Sequence, residues 1–318
     1  MATLNTKLPL NTGANIPAIG FGTWQDKDEQ EDAVISALKA GYRHIDTARV
    51  YGTEPAVGRA IKKSGIPRSE IFITTKLWNN SHAPEDVEPA IDASLKDLDT
   101  DYLDLYLMHW PSAFKSGDSL MPKDANGKIQ TADVDYVDGI HTQTYKAMEK
   151  LQKSGKARAI GVSNFSQKQM NRLVKEASIP PAAHQIELHP YLQQPAFVKW
   201  HHDNRIHVQH YSPFGNQNEI YSKGQHMEKL INDPILAEIG KKYGKSGAQV
   251  ALAWGIQSGN SVLPKSKTPK RIQDNIEGDF KLEKADVEKV GTLDQKLRFN
   301  DPSENFGMNF YEDLDGKQ

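Results

Sequence analysis

An aspartate, a tyrosine, a lysine and a histidine (Asp46, Tyr51, Lys76 and His109) each stand where a hydrophobic run gives way to polar residues. Tyrosine is a poor acid in water, with a pKa of about 10, so at neutral pH it gives up a proton only with help. A nearby ammonium stabilises the phenolate and lowers that pKa, and a carboxylate paired to the ammonium holds it in place. Lys76 and Asp46 are the residue types for that pair. His109, after a stretch of nearly all apolar residues, can orient a substrate oxygen or share in a proton relay. The ensemble fits a general acid that protonates a carbonyl oxygen as hydride arrives at the carbon. Singly, each residue has an ordinary structural use: a packed tyrosine, a solvated lysine, a helix-capping aspartate, a satisfied buried histidine. Gathered at successive strand ends, they point to chemistry.

Three stretches carry them: GYRHIDTARVYG from Gly41, IFITTKLWN from Ile71 and YLDLYLMHWP from Tyr102. Read as the ends of four separate strand-like runs, they lie on the carboxyl edge of a parallel sheet, where active sites are built. Runs near 43–46, 71–76, 102–109, 158–163, 183–187, 206–212 and 261–265, with Ala18 to Gly22 counted first, alternate with helical patterns. Val87, Ile91, Leu95 and Leu98 share a helical face, and Val34, Ala37 and Leu38 lead to a C-cap at Gly41. Asp233 and Pro234 open a helix over Ile235, Leu236 and Ile239 that Gly244 ends. About eight strands predict a closed (β/α)8 TIM barrel, a single α/β domain over residues 1–318. A hairpin precedes it, with Asn11-Thr12-Gly13 turning Leu8–Leu10 back on Ile16–Ile19. Residues 112–138 and 214–227 break the rhythm as long loops over the same face, expected to be lids or binding loops. The tail over 297–318, with Phe306, Met308, Phe310 and Tyr311, is either a third cover or a frayed terminus.

Composition narrows the partners. Lys plus Arg at 39 against Asp plus Glu at 41 leaves a net charge of −2 with no block of one sign, so nucleic-acid or anionic-membrane binding has no electrostatic support. With no cysteine there is no thiolate nucleophile or disulfide framework, and a reducing compartment suits the chain. The opening MATLNTKLPL is too polar for a signal peptide, and no apolar run approaches the ~18 residues of a membrane helix. The cytoplasm is the expected compartment.

The ordered motifs extend well beyond the four residues. GFGTW at Gly20, DTARVYG at Asp46, TTKLW at Thr74, DLYLMHWP at Asp104, GVSNF at Gly161, HQIELHPY at His184, HYSPFG at His210 and LPKSKTPKRIQDN at Leu263 span most of the chain. In these the chain resembles the aldo-keto reductases, most closely a fungal branch of glycerol dehydrogenases and erythrose reductases. The resemblance implies a (β/α)8 barrel that reduces aldehydes and ketones with NADPH and no metal.

It also implies roles. Tyr51 is the proton donor, Lys76 and Asp46 its tuning pair, and His109 the residue that orients substrate. Gly22, Thr23, Trp24, Asp46, Tyr211 and Ser212 are cofactor contacts by the same likeness. Ser163, Asn164 and Gln185 would hydrogen-bond the nicotinamide carboxamide, with Tyr211 stacked on its ring. Trp24, Trp78 and Trp110, beside Tyr51 and His109, would wall an apolar substrate pocket. Lys265, Ser266, Lys267 and Arg271 cluster where the last strand passes into a helix, a place that favours anions, and the family motif sets the adenosine 2′-phosphate there. Asp274, where the family often has Glu, and Asn275 complete the adenosine site. Phe214 and His184 also depart from a common Leu and Asn.

Competing motifs fail on spacing. Gly20 and Gly22 begin a GxG pattern, but Gln25 holds the third glycine position, and Gly52 and Gly58 are followed by Arg59 where a P-loop needs lysine. His201 with His202 and His207 with His210 lack a metal-ligand set and fit a helix and a strand. The expectation is therefore a cytoplasmic, monomeric NADPH-dependent aldehyde reductase acting on glyceraldehyde, erythrose and similar small polyol aldehydes. The alternatives are a pentose or aromatic aldehyde reductase, or a cofactor-binding regulatory or structural protein on the same fold.

Overall fold

Side chains on a strand alternate between two faces, and in this chain both faces are covered. The computed structural model describes residues 6–132, 141–215 and 228–315. It opens with an antiparallel hairpin, β1 (Lys7–Pro9) and β2 (Asn15–Pro17), turning through Gly13 at φ +83°. Eight parallel strands then follow in chain order around one sheet. They are β3 (Phe21–Gly22), β4 (His44–Asp46), β5 (Phe72–Leu77), β6 (Leu105–Met108), β7 (Ile160–Ser163), β8 (Ala183–Glu187), β9 (His207–Tyr211) and β10 (Ser261–Val262). The sheet closes: Val262 N donates to Ala18 O at 2.9 Å, Gly20 N to Val262 O at 2.9 Å and Gly22 N to Pro264 O at 3.0 Å. This is the (β/α)8 barrel expected from the alternation.

The flanking helices are α1 (Gln30–Ala40), α2 (Glu54–Ser64), α3 (Pro84–Leu98), α4 (His141–Lys153), α5 (Gln167–Glu176), α6 (Pro195–Asp203), α7 (Pro234–Tyr243), α8 (Gly247–Gln257), α9 (Pro269–Ile276) and α10 (Lys284–Gly291). Their ends follow the local chemistry. Gly41 ends α1 at φ +108°, and the Asp233 carboxylate accepts from Ile235 N at 2.8 Å to start α7 at Pro234.

Some strands are shorter than their hydrophobic runs. From the run 102–109 only Leu105–Met108 forms a strand; Leu103 makes an isolated bridge to Ala157, and the Tyr102 ring lies under the guanidinium groups of Arg68 and Arg158, at 4.0 and 3.6 Å. β10 stops at Val262, two residues before Pro264, which has no N–H for the ladder.

Alternation decides what the barrel interior holds. On β5, Ile73 and Leu77 turn outward to pack with Val87 and Ile91 of α3. Phe72 turns inward with Leu105, Leu107, Ala159 and Ala183, and this apolar layer is capped by Leu10 and Ile16 of the hairpin region. Thr74 and Lys76 follow Phe72 on the inward face by the same period of two. The interior thus holds an apolar layer at the amino ends of the strands, with His44 and His207 beside it, and is polar at the carboxyl ends.

The tail is a cover over its described length. Phe306, Phe310 and Tyr311 are buried with Trp78 and Phe114 in one aromatic cluster, so the frayed-terminus alternative is set aside up to residue 315. Of the long loops, residues 112–132 return over Trp78, whose Nε1 donates to Leu120 O at 2.6 Å. Residues 133–138 of that loop, 216–227 of the second and 316–318 of the tail lie outside the described residues.

Candidate active site

Period two on β4 turns His44 and Asp46 inward and Ile45 outward. The chain then leaves the sheet and makes a short 3-10 helix, Arg49–Tyr51, which ends at Gly52 with φ +65°. Tyr51 therefore has no strand of its own, which corrects the expectation of four strand ends. Three strands position the four residues, because only His44 to Asp46 find pairing partners on β5 and the apolar Val50 belongs to the turn.

Lys76 is fully buried, and its Nζ donates to Asp46 Oδ1 at 2.6 Å and to Thr47 O at 2.8 Å. The second carboxylate oxygen of Asp46 accepts from Gln185 Nε2 at 2.7 Å. Lys76 Nζ lies 5.2 Å from the centre of the Tyr51 ring. The His109 ring meets the Tyr51 ring edge-on with centroids 5.7 Å apart. Burial pulls the Lys76 ammonium below the ordinary lysine range against the opposing pull of Asp46, and pushes Asp46 up. A proton shared between such groups responds readily to a third group beside them.

Burial governs the charge of His109. Burial first, then the charge of Lys76 and the nearby His82, holds its pKa well below the ordinary value. It is neutral at pH 7. Its Nδ1 is buried without a hydrogen-bond partner among the described residues, which leaves Nε2 as the ring nitrogen for a substrate. A neutral imidazole can donate one hydrogen bond from Nε2 to an oxygen.

Asp46, Tyr51 and His109, but not the buried Lys76, open on a cavity of about 1150 Å³ at the carboxyl ends of the strands. Gly22, Thr23, Trp24, Asp46, Tyr51, Trp78, His109 and Trp110 line it, as do Ser163, Asn164, Gln185, Tyr211, Ser212, Lys265 and Lys267. Ser163 Oγ donates to Gln185 O at 2.8 Å. Asn164 Nδ2 donates to His109 O and to Ser163 Oγ, each at 3.0 Å, while its Oδ1 accepts from Tyr211 OH at 2.8 Å. Thr23 binds Asp46 O through its N–H at 3.0 Å and its hydroxyl at 3.1 Å, tying β3 to the tetrad.

Ser266, Arg271, Asp274 and Asn275 do not line the cavity. Arg271 is exposed on the first turn of α9, a turn with no acidic residue, and Asn275 is buried. Asp274 pairs with Lys270 one turn away. Lys265 is ion-paired to Asp26, and Lys267 to Asp26 at 3.3 Å and Glu29 at 3.1 Å. Sequence reasoning missed these acidic partners, which arrive from the loop after β3. It also missed Asn300 and Phe306 as cavity residues; Phe306 was legible only as an aromatic in a polar tail.

The tail that brings Asn300 is held by a buried carboxylate. Glu187, the last residue of β8, accepts from Phe299 N and Asn300 N, each at 2.8 Å, and from His189 Nε2 at 3.0 Å. Burial alone would raise its pKa, but His189, Arg298 and the Phe299 N–H outweigh that and hold it below the ordinary glutamate range. The clasp is therefore complete at neutral pH and weakens as pH falls through the depressed value. Glu187→Ala should cost about 3 kcal/mol, since one buried and one partly buried backbone donor lose a charged acceptor. Amide exchange over 297–315 should speed up more than exchange in the strands; equal protection of the tail in both proteins would refute the clasp.

Residues 18–295 match the aldo/keto reductase family. The chain is 45% identical over 299 residues to an uncharacterised oxidoreductase of Schizosaccharomyces pombe, covering 93% of this chain and 91% of that protein. Aldo-keto reductase family 1 member A1 of Xenopus tropicalis is 44% identical over 306 residues, with 94% and 92% covered. The solved aldose reductase of Schistosoma japonicum superposes with a TM-score of 0.87 at 36% identity, covering 96% of this chain and 98% of that one.

Proposed function

This chain belongs to the aldo/keto reductase family, and from that premise we propose that it reduces aldehydes to primary alcohols with NADPH, Tyr51 giving the proton. Carbonyl reduction as a class follows from the family and its aldose and aldehyde reductase relatives. A nicotinamide cofactor fits the cavity: amide-binding side chains Ser163, Asn164 and Gln185 share one space with Lys265 and Lys267. When bound, that cofactor supplies the hydride. His109 Nε2 orients the carbonyl oxygen, and Tyr51 delivers its proton there as negative charge develops. Lys76, held by Asp46, offsets the charge left on the phenolate. Asn164 Oδ1 keeps a second lone pair for an amide N–H beside the one taken by Tyr211. The observation that carries the reading is the fully buried Lys76, paired to Asp46 at the cavity and 5.2 Å from the centre of the Tyr51 ring.

The substrate class we favour is small polyol aldehydes such as glyceraldehyde and erythrose, in a cavity lined by Trp24, Trp78 and Trp110 together with the polar Asn300. The enzyme acts in this reading as a cytoplasmic monomer, and a dimer mass in sedimentation would remove that part. NADPH oxidation offered glyceraldehyde, erythrose, xylose and benzaldehyde ranks these against the pentose and aromatic alternatives. A protein that binds NADPH yet consumes it with none of them would be a sensor, not an enzyme.

Preference for NADPH over NADH is ascribed to Lys265, Lys267 and Arg271 around the start of α9. A charge-assisted contact to the 2′-phosphate is worth roughly 1.5–3 kcal/mol, about ten- to a hundredfold in affinity. Arg271→Ala should weaken NADPH by that factor and leave NADH almost unchanged, with the preference shrinking as salt rises. Equal weakening of both would place Arg271 in the fold or the shared adenosine site instead.

A further inference from the structure

His184 on β8 faces away from the barrel interior, toward α6, and reaches the candidate active site only through another residue. Its Nε2 accepts from Phe165 N at 3.0 Å, and its Nδ1 lies 2.7 Å from His201 Nε2 on α6. His201 Nδ1 in turn lies 2.7 Å from Phe197 O. The protons on these rings have one consistent arrangement. A backbone N–H can only donate, so His184 Nε2 carries no proton and Nδ1 does; a backbone carbonyl can only accept, so His201 carries its proton on Nδ1. The hydrogen bonds therefore run in one direction, from Phe165 N through both neutral rings to Phe197 O.

The turn at the head of this chain carries the amide-binding side chains. Asn164 sits at φ +64°, a left-handed conformation that asparagine tolerates better than most side chains. Two consecutive N–H groups hold it in place, each on an acceptor of β8: Asn164 N on Gln185 O at 3.1 Å and Phe165 N on the His184 ring. With the backbone so pinned, the Asn164 side chain spans His109 O, Ser163 Oγ and Tyr211 OH. Both histidines are fully buried, and the Phe165 and Phe197 rings meet His184 edge-on, so no water can replace the ring as acceptor.

We propose that His184 is a positioning residue: with its proton set by His201, it pins the Ser163–Phe165 turn so that Asn164 meets the nicotinamide amide in the orientation hydride transfer requires. This rests on the reading of the cavity as a nicotinamide cofactor site. Losing the acceptor should disturb the nicotinamide end of the site and spare the adenosine end.

The test compares the unsubstituted protein with His184→Leu, which keeps bulk without an acceptor, His184→Gln, whose amide oxygen can reach Phe165 N, and His201→Leu, which frees the His184 proton to move to Nε2. Dissociation constants are measured for NADPH and for adenosine 2′,5′-bisphosphate, which has no nicotinamide, together with kcat and KM for glyceraldehyde. His184→Leu and His201→Leu should weaken NADPH by about tenfold and lower kcat, with the bisphosphate unchanged, and His184→Gln should recover most of the loss. The proposal is overturned if His184→Leu weakens both ligands equally, if it moves neither, or if His184→Gln is as impaired as His184→Leu; should the His184 variants not fold, His201→Leu decides by the same split. An unsubstituted protein that binds NADPH no tighter than the bisphosphate would instead sink the nicotinamide reading. If that difference exists and His184→Leu preserves it, only the histidine pair is refuted.

Discussion

Tyr51→Phe should lower kcat for aldehyde reduction by at least about 10²-fold while cofactor binding stays near normal, because general acid catalysis typically contributes that much or more. The substitution removes one oxygen from a ring that stays packed edge-on to His109, so the cavity keeps its shape. The hydroxyl is the only proton source the reading assigns, since His109 is held neutral by burial and by Lys76. Cofactor titration by fluorescence quenching and turnover in a chemistry-limited assay settle it together. A Phe variant retaining a third of the unsubstituted kcat would remove Tyr51 from its role.

Lys76→Met is expected to strike twice. It leaves Asp46 buried with Gln185 Nε2 as its remaining charge-dispersing partner, and breaking a buried ion pair from one side costs about 3–5 kcal/mol. It also removes the cation beneath the Tyr51 ring, so the phenolate loses its support and kcat should fall by about 10²-fold or more. Alcohol oxidation, which needs the phenolate as base, should suffer at least as much at neutral pH and recover as pH rises toward the phenol's own pKa of about 10. Thermal unfolding separates the stability loss from the catalytic loss. Should a folded Met variant turn over at near-normal rate in both directions, the charge relation between Lys76 and Tyr51 would be wrong.

Much of this site was legible because a strand has a period of two. Once Asp46, Lys76 and His109 are read as lying where parallel strands end, alternation alone turns them toward the interior and sets Ile73, Leu77 and Val162 against the helices. Resemblance then supplied roles that no periodicity contains, as for Ser163 and Tyr211. Tyr51 shows where local reading overreached. A run ending in an aromatic looks like a strand, yet the β4–β5 register stops at Asp46 opposite Thr74, and Arg49–Tyr51 coil into a 3-10 turn while β5 runs on to Leu77.

The amino-acid sequence determined the order of strands and helices, the inward faces, the caps at Gly41 and Asp233, and which residue types could move a proton. These depend on neighbours a few positions away, so a linear pattern records them. Only the tertiary structure decided the pairings between distant segments: Asp26 with Lys265 across 239 positions, Glu187 with Phe299 across 112, His184 with Phe165 and His201. It also decided the charge states, since the neutrality of His109 and the depressed Lys76 come from the removal of water by residues drawn from many elements. Burial and barrel register are properties of the closed sheet as a whole, and no single segment of the chain carries them.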